Sequence, residues 1–201
     1  SEVYLKDQAE LEDYLVETGL EASALHLAGG EVLAGADLAR VVAEARTFRR
    51  ALDAFPTQYP RPILEQAALA GAFEQGRAAA DLQGVADAVA RRLDAVAGEY
   101  ERGWHGRITQ DHGIRLSRVL RGVEEQRTLD GPVLRSGEAR RLAQVAAAVR
   151  EVYAGPARLL RKDRESVVHG PTDLVTAVLA EGEKGLSLQR YKGLGEMNPE
   201  Q

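Results

Sequence analysis

The sequence predicts an α+β fold that is rich in helices and carries one small antiparallel β-meander. Apolar residues recur every three or four positions along most of the 201-residue chain, as in amphipathic helices. The period shortens to alternation in the middle, where Ile108, Ile114 and Leu116 flank an Asp-His-Gly turn at 111–113. Strands and helices do not alternate regularly, so we do not expect a parallel βαβ sheet.

The first part of the chain predicts two helices with a short strand between them. Residues 7–18 carry an apolar stripe behind a capping box, and Gly19 is a natural helix end. The segment ALHL at 24–27 precedes a glycine turn and predicts a strand. Asp37 caps the second helix, which has one apolar face and is ended by Pro56.

Two further helices lead to the meander. Pro62 suits the first turn of a short helix that runs through Leu69 and stops near Gly71. Asp81 opens a longer helix, whose apolar residues keep helical spacing as far as Tyr100. The meander begins after this helix.

The last third predicts two more helices and two strands. Ser136 caps a helix with an apolar face, and a short strand is expected at 158–160. Pro171 starts the final helix, after which a pair of glycines leads into LSLQRY at 186–191. The alternating apolar residues of that segment predict a strand.

Composition narrows the classes of function. Hydrophobic residues make up 44% and charged residues 28%, as in an ordinary globular protein. Cysteine is absent, which excludes disulfides and thiolate metal sites and fits a reducing cytoplasm. The sequence has no apolar run long enough for a membrane helix. The chain does not begin with methionine, and we expect it to be a segment of a longer protein.

The net charge of −5 is unevenly distributed. Five arginines and one acid occupy residues 102–121, around the predicted meander. Overall acidity disfavours non-specific DNA binding by the whole surface, but a local basic face is compatible with it. The alternative for these arginines is a solvated surface with ion pairs.

Signatures of catalysis are missing from the sequence. It has no P-loop, no complete G-x-G-x-x-G and no G-x-S-x-G. The four histidines lack metal-binding spacing; they are His26, His105, His112 and His169. The sequence also has no D-x-D to hold magnesium. We therefore expect no catalytic residue and no metal ligand, and we expect the isolated segment to be inactive.

The most distinctive stretch is QRYKGLGEMNPEQ at 189–201. Arg190 and Lys192 flank Tyr191, while Gly193 and Gly195 allow close backbone approach. Exposed backbone N–H groups beside two cations are suited to contact a phosphate. The competing interpretation is a simple turn between a strand and a helix.

This stretch closely resembles, over 13 positions, the signature of the type IIA DNA topoisomerases, the family of the B subunits of bacterial DNA gyrase and topoisomerase IV. YLKDQAELEDYL at 4–15 is similar to the end of the TOPRIM core of that family. About 160 residues lie between the two matches, which resembles the long insert of Gram-negative gyrase B. The resemblance implies an end segment of TOPRIM at 1–19, a helix-rich insert domain at 20–183, and a return strand with the start of the tail region at 184–201.

The resemblance implies a role in an ATP-dependent enzyme that negatively supercoils DNA by double-strand passage. Such an enzyme is an A2B2 assembly with the A subunit of DNA gyrase, is bacterial, cytoplasmic and nucleoid-associated, and acts on double-stranded DNA without a membrane. ATP and Mg2+ belong to parts of the full-length protein outside this chain, and the cleavage tyrosine belongs to the A subunit. For this chain the resemblance implies a structural and coupling insert without an active site or cofactor of its own.

Other interpretations stay open alongside this one. The segment could bind DNA directly through the arginines of the meander, belong to topoisomerase IV, or be an unrelated free-standing enzyme. The candidate DNA contacts in the matched signature are Arg190, Tyr191, Lys192, Gly193 and Gly195. The candidates around the meander are Arg107, Arg115 and Arg118, with Arg102 and Arg121 beside them.

Overall fold

The computed structural model describes the backbone of residues 2–197 and the side chains of residues 6–193. Its helices are α1 (Glu2–Leu20), α2 (Gly35–Asp53), α3 (Arg61–Leu69), α4 (Leu82–Val96), α5 (Gly131–Leu134), α6 (Gly137–Val149) and α7 (Pro171–Met197). Its strands are β1 (Ser23–His26), β2 (Val32–Ala34), β3 (His105–Ile108), β4 (Ile114–Leu120), β5 (Val123–Leu129), β6 (Ala157–Arg161) and β7 (Arg164–Val168). Helices and two antiparallel sheets confirm the predicted α+β class.

The chain forms two compact units, and in sequence the second interrupts the first. The first unit combines the chain up to Arg46 with the chain from Val152 onwards. It holds α1, α7 and a four-stranded sheet of order β2-β1-β6-β7. The second unit runs from Thr47 to Glu151 and holds α3 to α6 and the three-stranded meander.

An antiparallel pair of helices, α1 and α7, dominates the first unit. Gly19 of α1 packs on the backbone of Val178, and the backbone of Leu15 packs on Gly182 of α7. Residues with lower numbers in α1 therefore contact residues with higher numbers in α7. The two helices are antiparallel, and the beginning of α1 lies beside the end of α7. A Cβ on either glycine would collide with a backbone carbonyl, which means that glycine allows this close approach.

The strand predicted at 186–191 is wrong, because α7 continues as a helix through this segment. The alternating leucines favour a strand, but the helix is selected by its contacts with α1. Those contacts use Gly182, Gly185 and Gln189, which recur at intervals of three and four residues. The hydroxyl of Tyr14 donates to Oε1 of Gln189 at 3.2 Å. Tertiary packing therefore outweighs the helix-weakening effect of the glycines.

The four-stranded sheet of the first unit has β1 and β6 at its centre. Leu25 of β1 lies opposite both Leu33 of β2 and Leu159 of β6, and all three are buried. The strands expected at 24–27 and 158–160 are thus confirmed. The edge strands β2 and β7 have no counterpart among the sequence-based predictions, since β2 is only three residues long and β7 begins with charged residues.

The helices of the second unit begin where the sequence predicts. Pro62 occupies the first turn of α3, and α4 starts directly after Asp81. The Ser136 side chain accepts a hydrogen bond from the Ala139 N–H at 3.1 Å and caps α6. Helix α3 packs against both α4 and α6, which forms the helical core of this unit.

The predicted meander is confirmed, with strand order β3-β4-β5. Its inner face carries Ile114, Leu116 and Leu129, which are buried. Helix α4 lies directly on β3, since a Cβ added to Gly106 would stand 2.6 Å from the carbonyl oxygen of Ala86. One face of the meander is therefore covered by α4, and its outer face carries mostly exposed side chains.

Candidate nucleic-acid interface

The candidate contacts near the end of the chain lie on the last turns of α7 and not at a strand end. Residues two positions apart in a helix point about 200° apart, so Arg190 and Lys192 lie on opposite sides of Tyr191. All three are exposed, and neither cation forms an ion pair with a side chain that the structure describes. Gly193 and Gly195 are helical. The expected position of Arg190 and Lys192 on either side of Tyr191 at a strand end is therefore corrected, because this segment is helical.

The end of the matched signature, residues 198–201, lies outside the described part of the chain. Within the described part, Gly193 has open space around it, since an added Cβ would meet no atom within 4 Å. It differs in this respect from Gly182, which is packed against α1. Among the described residues, the surface around Gly193 is thus open.

Two arginines of the meander form a pair on its outer face. Arg107 of β3 and Arg115 of β4 are directly opposite each other in the antiparallel ladder, and both are exposed. Neither makes an ion pair with any residue in the described range. Like charges that face each other across a ladder repel, so the free chain carries an electrostatic cost that a bound anion would remove.

Arg118 does not belong to this outer face. It lies on the side of the sheet that faces inward, with its guanidinium 4.6 Å from the centre of the Trp104 ring. Its Nε is 3.1 Å from the carboxylate of Glu125, and its Nη1 donates to the Glu101 carbonyl at 2.6 Å. These contacts hold the meander to the preceding segment and leave the side chain only 16% exposed.

Arg102 and Arg121 lie outside the strands. Arg102 follows the short 3-10 turn Glu99–Glu101, and Arg121 occupies the β4–β5 turn with a positive φ of 52°. Both are exposed. Of the meander arginines considered from the sequence, the ladder thus brings only Arg107 and Arg115 together on one face.

A polar cleft lies beside this pair, between α4 and β3. Its volume is about 240 Å³, and Arg91, Asp87 and Asp94 of α4 line it together with Arg107. Asp94 accepts backbone N–H groups that follow the helix, and Asp87 accepts the Gln83 side-chain amide at 2.9 Å. Both acids are therefore engaged within the chain, while Arg91 is exposed.

Sequence reasoning did not single out Arg91, although its helical position distinguishes it from its neighbour. Adjacent residues in a helix point about 100° apart. Arg92 points inward, where its Nε donates to Gln66 at 2.9 Å and burial lowers its pKa. Arg91 consequently points outward, which its place between the buried residues Val89 and Leu93 also indicates.

A buried ion cluster ties α7 to the β6–β7 hairpin in the first unit. The carboxylate of Glu181 is 5% exposed and lies 2.6 Å from Nη2 of Arg164 and 3.4 Å from Nη1 of Arg161. Lys184 lies 3.6 Å away on the next turn. The hydrogen bond from Arg164 lowers the pKa of Glu181, and the same bond raises the pKa of Arg164. The strands that supply the two arginines include one that was not predicted, so this cluster could not be assembled from sequence.

Neither a metal centre nor a membrane helix is found within the described residues. No group of three or more His, Asp or Glu side chains is placed there to hold a metal ion. His112 is an exposed turn residue with a positive φ of 62°. None of the helices in the same range has both the length and the apolar character needed to cross a membrane.

Comparison with known proteins identifies relatives over almost the full length of the chain. The B subunit of DNA gyrase from Caulobacter vibrioides is 44% identical over 198 residues, which cover 98% of this chain and 24% of that protein. Its counterpart in Rickettsia bellii is 26% identical over 201 residues, covering 100% of this chain and 25% of that protein. The gyrase B protein of Myxococcus xanthus is 54% identical over 37 residues, which are 18% of this chain and 4% of that protein.

No protein-family model matches the chain. The chain spans about a quarter of the length of the curated relatives that it matches throughout. The chain is therefore homologous to one segment of those proteins, and it belongs, as a part of such a protein, to the family of DNA gyrase B subunits.

Proposed function

We propose that the chain serves as a structural and coupling segment of a gyrase B protein and contains no active site of its own. In this proposal residues 1–19 and 184–201 belong to the host domains, the TOPRIM core and the tail region. Residues 20–183 form the insert that grows out of them. The insert acts as a buttress that relates the state of the bound DNA to the use of ATP elsewhere in the protein.

The observation that carries this proposal is the antiparallel packing of α1 on α7. The beginning of α1 and the end of α7 lie side by side, so both connections to a host would leave from one end of the pair. Gly19 and Gly182 bring the two backbones into direct contact, which leaves little room for one helix to slide on the other. Such a pair is suited to transmit a displacement of the host as a rigid element.

The Glu181 cluster connects the α1–α7 pair to the four-stranded sheet. Glu181 lies on α7, whereas Arg161 and Arg164 belong to the β6–β7 hairpin. Arg161 also donates to the Glu21 carbonyl at 2.9 Å, directly after α1. Because these groups are charged and mostly shielded from water, their geometry resists local rearrangement. A movement of α7 would therefore carry the hairpin with it.

The activity of the whole protein is part of the proposal. The full-length gyrase B protein would assemble with gyrase A as A2B2 and negatively supercoil double-stranded DNA by ATP-dependent strand passage. ATP and Mg2+ would be held by parts outside this chain, in the bacterial cytoplasm at the nucleoid. We infer gyrase in preference to topoisomerase IV because the relatives that match the whole chain carry the gyrase name.

Excising the insert tests the coupling role. In the full-length protein, residues 21–170 would be replaced by a short glycine-serine linker. This deletion removes the insert except for the first part of α7, so that α1 and α7 remain connected as a helical hairpin. Supercoiling, ATP hydrolysis and DNA affinity of the A2B2 enzyme would then be measured together. The proposal predicts that DNA still binds but that ATP hydrolysis no longer responds to DNA and supercoiling is lost.

Two results would contradict the coupling role. Native supercoiling and ATP hydrolysis after excision would show that the insert is dispensable. Loss of DNA affinity alone, with normal response of ATP hydrolysis once DNA is saturating, would assign the segment to DNA binding. A linker of different length serves as the control for strain in the shortened protein.

A further inference from the structure

We propose that the outer face of the meander, together with Arg91, is a contact surface for the phosphate backbone of double-stranded nucleic acid. This arginine surface consists of Arg91, Arg107 and Arg115. Its identification with DNA in particular rests on the proposed function. The surface excludes Arg118, which the sequence alone groups with the others.

The geometry of the arginine surface favours an anion with several acceptor oxygens. Arg107 and Arg115 lie side by side across the β3–β4 ladder, and Arg91 lines the same cleft as Arg107. None of the three makes an ion pair with the described residues. A phosphate accepts two parallel N–H bonds from a guanidinium, and it would neutralise the repulsion between the paired arginines.

The remaining side chains of the outer face favour nucleic acid over an acidic protein. His105, Ser117, Gln126 and Thr128 surround the pair in the ladder, and each offers a hydrogen-bond donor. Protein partners usually anchor on buried aromatic or aliphatic groups, which this part of the face does not supply. The apolar Val119 lies at the far end of the hairpin, opposite Glu124. Polar and positively charged surfaces of this kind are typical of backbone contacts to DNA.

The number of phosphate contacts can be measured by salt dependence. The affinity of the A2B2 enzyme for a linear duplex would be determined between about 50 and 200 mM salt for the native protein and for R107Q/R115Q. Each lost phosphate contact reduces the slope of log affinity against log salt by about one. For each B subunit that contacts the duplex, the proposal predicts a slope smaller by about two for the double variant and by about one for R91Q, for duplexes of any sequence.

Arg127→Gln provides the matched control. Arg127 is an exposed arginine of the same sheet, but its place opposite Leu116 puts it on the other face. We expect native affinity and native slope for this variant. Unchanged slopes for R107Q/R115Q and R91Q, in proteins with native unfolding temperatures, would overturn the proposal.

Two further outcomes separate this inference from the alternatives. A double variant that assembles poorly with gyrase A but keeps the native salt slope would assign the surface to an acidic protein partner and would overturn the phosphate role. The coupling role is judged independently, because at saturating DNA the R107Q/R115Q enzyme should retain DNA-stimulated ATP hydrolysis.

Discussion

Gly182 of α7 lies directly against the backbone carbonyl of Leu15 in α1, with no space between them for a side chain. Gly19 makes the equivalent contact from the other helix, on the backbone of Val178. A larger residue at either glycine has to push the helices apart, because the atom that it meets is backbone and cannot rotate away. The close approach of α1 and α7 is thus a property that single substitutions can test.

Gly182→Leu is expected to destabilise the chain. The added side chain would overpack the α1–α7 interface, and overpacking of this kind costs about 1–3 kcal/mol. Urea unfolding measures the change. Gly84→Leu is the matched control, because an added Cβ there meets nothing within 4 Å and leucine improves helix propensity. Equal destabilisation by both variants would show that the packing of Gly182 is unimportant.

Glu181→Gln is expected to cost about 2–3 kcal/mol of unfolding free energy near neutral pH, since it leaves two arginines without their shared carboxylate. The exposed pair of Arg158 and Glu165 provides the control, and Glu165→Gln should cost less than about 1 kcal/mol. Urea unfolding of both variants beside the native chain gives the comparison. Equal losses of unfolding free energy for the two substitutions would show that burial does not make the Glu181 cluster more stabilising than an exposed ion pair.

The pH dependence of the same variant follows from the lowered pKa of Glu181. Because the folded protein holds this pKa below its ordinary value of 4.5, the carboxylate stabilises the fold fully above that value. The contribution disappears as the pH falls through the lowered pKa. The stability difference between the native chain and Glu181→Gln should therefore be constant at neutral pH and shrink on acidification. A difference that stays constant into acid would contradict this.

Arg118→Gln is expected to destabilise the second unit by about 2 kcal/mol. The substitution removes the contact with Trp104, the ion pair with Glu125 and a hydrogen bond to a backbone carbonyl. Chemical unfolding monitored by the fluorescence of the single tryptophan reports on this site directly. Arg127→Gln removes a charge from the same face of the sheet and should change stability by less than about 0.5 kcal/mol. Native stability of Arg118→Gln would return this residue to the set of candidate surface contacts.

Arg115→Thr is expected to stabilise the free chain, although the proposed phosphate contact predicts weaker DNA binding. It removes one of two facing like charges, and threonine suits a strand, so the gain should be about 0.2–1 kcal/mol at low salt. High salt screens the repulsion and should narrow the difference between variant and native chain. A native chain that is the more stable of the two at low salt would contradict the interpretation of Arg107 and Arg115 as an unrelieved pair.

Local signals in the sequence were sufficient to predict most helices and the meander. Ser136 caps α6 as predicted, because an N-cap is decided by the next three residues. The prediction of a strand at 186–191 was wrong because the state of this segment is not decided locally. Its helical state depends on α1, which lies more than 160 residues away in the chain. The same limit applies to β7, whose pairing with β6 was not signalled by hydrophobic alternation.

The candidate site also has parts that the sequence predicted and parts that depend on tertiary structure. Arg107 and Arg115 were singled out from composition, but their pairing depends on the register of β3 and β4. Arg118 looks equivalent in the sequence and differs only because its position in β4 places it on the inner face, beside Trp104. Arg91 lies beside Arg107 because α4 packs on β3, and a single sequence does not specify this packing.

The coupling role is tested most directly by the number of ATP molecules hydrolysed for each supercoil introduced by the full enzyme. Gly182→Leu disturbs the α1–α7 pair without touching the arginine surface, and Gly84→Leu is its control. We predict that Gly182→Leu raises this ratio severalfold while DNA affinity stays native, and that Gly84→Leu leaves both unchanged. A native ratio in a Gly182→Leu enzyme whose helix pair is measurably destabilised would contradict the proposal that this pair transmits the coupling.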